Sequence, residues 1–202
     1  MDNNCRIIQP ETGTLLNTYQ TIIGRFYGSS ENATARDILI GHSRAVADFA
    51  LEINRTRNLK LDPTQVETAA MLHDIGIIRT HAPGIGCQGT APYIRHGIIG
   101  ADMLRGLEQP EWVCRIAERH TGVGITHDDI INQGLDLPTD RVMTPETLLE
   151  KLICYADKFY SKRLGQLDRR KTFEQVFSEV SRFGSDNSDR FLRLHKEFNI
   201  MG

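Results

Sequence analysis

One helix-like stretch ends on two side chains that an apolar interior does not readily accept. Val66, Ala69, Ala70 and His73 recur at the i, i+3, i+4, i+7 spacing of a single helix face, so the buried side of this helix closes on an imidazole. Asp74 follows at once. A carboxylate drawn inside a protein needs a counter-charge, hydrogen bonds or a metal to offset its desolvation, and the adjacent imidazole offers a second ligand to the same cation. Asp62-Pro63-Thr64-Gln65 fixes the start of the helix with an N-cap, a proline at the first helical position and a glutamine placed for a capping box. Gly76 is expected to let the chain turn.

The other segments carry the same helical period. From Thr34 to Arg57, Leu39, His42, Val46, Phe49, Ala50 and Ile53 form one stripe, which places His42 on a core-facing surface. Residues 79–92 hold too much glycine and proline for a regular element, and so long a loop is expected to border a site. His96 opens the next helix, and Pro110 starts another that runs through Trp112, Val113 and Ile116 to His120, with Gly122 as its stop. Thr126 and Asp129 cap a short helix. Thr144-Pro145-Glu146 begins a further one, in which Leu149, Leu152, Ile153, Ala156 and Tyr160 leave Asp157 at the edge of the stripe. Two helices are expected after residue 165, separated by Gly184-Ser185-Asp186. With no repeat and no alternating strand pattern, the expected architecture is all-α.

At 202 residues, 40% hydrophobic and 25% charged, the chain is long enough for one sizeable core and short for two. A single domain at 34–165 is expected, with helical extensions at 1–33 and 166–202. The net charge of -2 argues against a nucleic-acid polymer as partner, because such binding rests on many cationic contacts to phosphate. Small anionic substrates stay open, since a bound divalent cation dominates its local field. Cys5, Cys87, Cys114 and Cys154 form no CxxC pair, which argues against disulfides or a zinc knuckle. No apolar run approaches a membrane span, and Met1-Asp2-Asn3-Asn4-Cys5 does not resemble a signal peptide, so the cytoplasm is the expected location.

The polar residues fall in a telling order: His42, His73-Asp74, His96, His120, Asp157. With Ile75-Gly76, and with the phrases Arg95-His96-Gly97-Ile98-Ile99-Gly100-Ala101 and Tyr155-Ala156-Asp157-Lys158, the stretch from Ile40 to Arg163 resembles the HD-domain superfamily of metal-dependent phosphohydrolases, in particular its HDIG branch. The resemblance implies an HD-type helical bundle with a metal site in its core. It also implies two divalent transition-metal ions, one held by His42, His73 and Asp157, the other by His96 and His120, with Asp74 bridging them. Imidazole and carboxylate ligands suit Fe, Mn, Zn, Co and Ni alike. The implied reaction is hydrolysis of a phosphate ester or anhydride by a metal-bound hydroxide that Asp74, the expected catalytic residue, helps to position.

Substrate identity is less constrained. The segment from Tyr155 to Arg163 looks like the corresponding stretch of HD-type diadenosine tetraphosphate hydrolases, which suggests a nucleotide, and the Gly-Tyr-Pro signature of cyclic-di-GMP phosphodiesterases is missing. Arg95, Lys158 and Arg163, with His81 in the glycine-rich loop, are the candidates to meet substrate phosphate. His127 and His195 are expected at the surface. Two other readings share the ligand pattern: an HD-fold di-iron oxygenase acting on a small organic substrate, and a non-catalytic nucleotide-binding HD module.

Overall fold

The structure, a computed structural model, describes residues 18–200. Among them the chain forms nine α-helices: α1 (Thr18–Tyr27), α2 (Ala33–Thr56), α3 (Pro63–Leu72), α4 (His96–Arg105), α5 (Glu111–Arg119), α6 (His127–Gln133), α7 (Leu148–Asp157), α8 (Phe173–Ser181) and α9 (Ser185–Phe198). The expected all-α fold is present. Residues 1–17, which make up half of the expected N-terminal extension and carry Cys5, lie outside the described part. No described helix is long and apolar enough to cross a membrane.

Two apolar clusters share the interior. The larger gathers Val46, Phe49 and Ile53 of α2, Val66 and Ala70 of α3, Ile153 and Tyr155 of α7, and Phe191 and Phe198 of α9. The second joins Tyr27 and Leu39 to Leu72, Ile75, Leu104 and Ala117. His42 lies between Leu39 of one cluster and Val46 of the other, and His73 between Ala70 and Ile75. The polar residues therefore occupy the seam where the two cores meet.

Two expectations need correction, and one gains a cause. Gly76 sits where α3 gives way to a 3-10 segment, Ile75–Arg79. There a Cβ would lie 2.2 Å from the His96 carbonyl oxygen and 2.4 Å from the Gly100 nitrogen, so the glycine is needed for backbone to touch backbone. The loop 79–92 contains a two-stranded antiparallel hairpin, β1 (His81–Ala82) and β2 (Cys87–Gln88), with His81 opposite Gln88. Its buried Cys87 packs into the second cluster. His195 is packed and not simply at the surface: its ring lies 4.3 Å from that of Phe173, and the Tyr155 hydroxyl is 3.0 Å from its Nδ1.

The helix carrying Asp157 is anchored by a buried ion pair. Glu150 accepts from the backbone N–H of Glu146 (2.8 Å) and Thr147 (3.2 Å) at the N-terminus of α7, while Nη1 of buried Arg119 lies 3.1 Å away. Burial raises the Glu150 carboxyl, but those two N–H groups and Arg119 outweigh it and hold its pKa below the ordinary value. Arg119 immediately precedes His120, so this pair fixes α5 against α7 beside the site. Glu150→Ala should cost about 3 kcal/mol in urea denaturation, because it leaves a buried guanidinium with only Glu146 for a partner. A carboxylate depressed in the folded state stabilises above its unfolded pKa of about 4.3, and that contribution disappears as pH falls through the folded value. Glu150→Gln should therefore narrow its stability gap to the wild type as pH drops below about 4.3; an unchanged gap would show that the charge contributes nothing.

Candidate metal centre

Helix ends carry most of the site. His42 comes from the middle of α2, but His73 and His120 cap the C-termini of α3 and α5, His96 is the first residue of α4, and Asp157 is the last of α7. In three of the four histidines the ring is tied to the backbone three residues earlier. Nδ1–H donates to the carbonyl of Ala70 from His73 (2.6 Å), of Tyr93 from His96 (2.7 Å) and of Ala117 from His120 (2.8 Å). Such a bond fixes the tautomer and aims the Nε2 lone pair inward, the arrangement a metal-binding imidazole requires.

The inward-facing atoms converge in two groups that share one residue. His42, His73, Asp74 and Asp157 bring ligand atoms within 4.8 Å of one another, as do Asp74, His96 and His120. Asp74 faces each group with a different oxygen. Its Oδ2 is 3.4 Å from His42 Nε2 and 3.2 Å from His73 Nε2; its Oδ1 is 3.4 Å from His96 Nε2 and 3.3 Å from His120 Nε2. Asp157 Oδ1 lies 2.9 Å from His42 Nε2. Asp74 Oδ1 and His73 Nε2 are buried without a hydrogen bond of good geometry. Buried atoms left so are costly, and the set fits a divalent cation in donor type, burial and convergence.

The electrostatics agree. Burial pushes His96 down to about 3, helped by His120 beside it, and His42 down to about 4, helped by Lys162. Burial also opposes a proton on His73, but Asp74 and Asp157 outweigh it and push that ring up to about 9, so a cation taking His73 Nε2 as ligand would displace a proton from it. Burial raises both carboxyls, yet Lys162 and His73 hold Asp74, and Lys158 and Lys162 hold Asp157, well below the usual carboxylate range. The carboxylates are thus charged, and Lys158, Lys162 and His73 are the groups that balance them.

Of the four residues expected to meet substrate, one reaches the ligands. Lys158 Nζ is 2.8 Å from Asp157 Oδ2 and 3.4 Å from the His120 carbonyl. Arg95 stands outside, 3.7 Å from Asp136, and the Arg163 side chain is exposed. His81 is exposed on β1, and none of its described contacts is to the six converging residues. Sequence reasoning missed Lys162. Its Nζ lies 2.6 Å from Asp74 Oδ2 and 3.9 Å from Asp157 Oδ1, with the side chain largely buried. The available signal was its position five residues after Asp157, in the very segment that resembles the nucleotide hydrolases.

Comparison with known proteins agrees with this geometry. A family model described as HD domain matches residues 39–161, and the chain belongs to the HD-domain family. The protein MJ0778 of Methanocaldococcus jannaschii, described as uncharacterized, is 34% identical over 168 residues, covering 80% of this chain and 88% of that protein. Two proteins named tRNA (cytidine(56)-2'-O)-methyltransferase are each 32% identical. The one from Thermoplasma volcanium matches 95% of this chain and 47% of its own length, and the one from Picrophilus torridus 84% and 43%. The chain thus spans less than half of each methyltransferase. No solved structure matches the chain.

Asp74→Asn keeps the side chain's size and removes the charge that both groups share. The variant should keep its helical circular dichroism and lose most of its bound divalent metal in elemental analysis. Full metal retention would make the His-Asp pair a structural element only.

Proposed function

We propose that the chain is a metal-dependent phosphohydrolase that cleaves a phosphate ester or anhydride of a small phosphorylated compound, a nucleotide, and not a nucleic-acid polymer. The observation that carries this reading is the pairing of a shared carboxylate with two ammonium groups: Asp74 divides its oxygens between two histidine sets, and Lys162 and Lys158 stand beside Asp74 and Asp157. Chemistry on a neutral organic substrate has little use for two lysines at the ligands, whereas a phosphoryl group has oxygens for both. This favours hydrolysis over the di-iron oxygenase reading. The intact set of six ligands disfavours a non-catalytic module.

In this reading His42, His73 and Asp157 would hold one divalent ion and His96 and His120 a second, with Asp74 offering an oxygen to each set. When bound, the ions supply charge that neutralises phosphoryl oxygens and lowers the pKa of an attacking water. Asp74 fixes the spacing of the two ligand sets and orients the attacking water. Lys162 donates to a phosphoryl oxygen as charge builds on it, and Lys158 steadies Asp157 while adding positive potential at the mouth. The P–O bond to the leaving oxygen breaks as the water oxygen bonds to phosphorus, and the proton the water gives up ends on that leaving oxygen.

The test is a phosphate-release screen over nucleotides under nitrogen, with the protein loaded in turn with Mn, Fe, Co, Ni and Zn. Release is expected, and Lys162→Met should lower kcat/KM about 100-fold, about 2.7 kcal/mol of transition-state stabilisation, with metal content unchanged. Lys158→Ala should raise KM and also keep the metals. Oxygen consumption with no phosphate release under nitrogen would overturn the reading in favour of the oxygenase.

A further inference from the structure

A cavity of about 170 Å³ opens beside the second ligand group, lined by Ile94, Thr121, Ile125, Leu135 and Phe183 among others. It is backed by a small apolar cluster of its own, in which Ile98, Ile125, Ile130 and Met143 are buried against Ile94 and Leu135. Thr121 joins this cavity to the metal centre. It lines the wall, and its Oγ1 lies 3.4 Å from His96 Nε2, an atom that also faces Asp74. Thr121 is thus the side chain that the cavity wall and the ligand group have in common.

Two of the cavity's polar residues, Asp129 and Asn187, are already engaged. Asp129 Oδ2 accepts from the Thr126 backbone N–H and from Arg190, its Oδ1 accepts from Asn187, and Asn187 Nδ2 also donates to the Phe183 carbonyl. No lysine or arginine is among the described residues lining it. Apart from the Thr121 hydroxyl and the Gln133 amide, the remaining side chains are apolar, so a second phosphate would find no cation, while an uncharged ring would gain by leaving water. Phe183 is 62% exposed and offers a ring face for stacking. Pockets that enclose a whole drug-sized ligand run to roughly 300–1,000 Å³, so this one takes a single compact group.

The geometry points to this cavity as the subsite for one aromatic or apolar group of the phosphorylated substrate, carried on the leaving-group side of the scissile bond. The assignment rests on the phosphohydrolase reading. A nucleobase is one such group, and the second half of a dinucleotide lies outside the cavity.

Benzyl phosphate and methyl phosphate test it, because they share the phosphoryl group, release alcohols of similar acidity and differ in the ring. The metal-loaded enzyme should show kcat/KM about tenfold or more higher for the benzyl ester, in line with burial of one ring. Leu135→Trp, which fills the cavity from a half-buried position, should cut the benzyl value about tenfold and leave the methyl value within about twofold. Equal rates for the two esters, or a benzyl preference that survives Leu135→Trp, would overturn the subsite. A second measurement is independent of turnover: in methyl spectra of isoleucine-labelled protein, benzylphosphonate should shift the Ile94 and Ile125 resonances and methylphosphonate should not. If neither ester is cleaved but these shifts appear, the cavity binds the ring of a phosphorylated ligand, and the phosphohydrolase reading falls together with the leaving-group assignment. If the esters are cleaved and the shifts are absent, the hydrolase reading stands and the subsite falls.

Discussion

A fully buried carboxylate at Asp74 is the constraint around which the rest of the molecule is arranged. Left alone in an apolar interior it would take up a proton or stay in water. Here the counter-charge comes from His73 at the end of α3 and Lys162 in the segment after α7, and the polar surround from His42 of α2 and from His96 and His120 of α4 and α5. None of these elements can shift without leaving charge or polar atoms uncompensated. The two apolar clusters supply the driving force for folding, but the carboxylate dictates where they meet.

Packing and chemistry are therefore coupled at single residues. Ala70 and Ala117 each bury a methyl group in a cluster and present the carbonyl that orients His73 or His120. The rings are set before any ligand arrives, and binding then loses little side-chain freedom. On the other side of the seam, the Arg119–Glu150 pair ties the helix that ends at His120 to the one that ends at Asp157, so both ligand groups share one framework.

Much of this is legible in the sequence, for definable reasons. The period of 3.6 in α2, α3 and α7 reports burial directly, so it puts His42, His73 and Asp157 on or at the edge of the right faces. The order of the six polar residues does the rest. What escapes reading depends on contacts between segments. Lys162 and Arg163 are adjacent cations with no periodic element to orient them, and only the folded chain shows that Lys162 turns inward while Arg163 is exposed. His195 reads as part of a polar tail because its partners Phe173 and Tyr155 lie 22 and 40 residues away in sequence. The hairpin in the glycine-rich loop has strands of two residues, too short for any alternation to register.

The contact at Gly76 has a wider consequence. The segment that follows His73 and Asp74 lies on the backbone of α4, at His96 and Gly100, with no side chain between them. Side-chain contacts can be lengthened or shortened by changing rotamers, but two backbones in contact have no such adjustment. The gap between the two ligand groups is consequently set like the jaw opening of a fixed wrench. Drift at the surface of the helices can retune which molecule enters, while the span across which Asp74 reaches stays constant for as long as position 76 carries only a hydrogen.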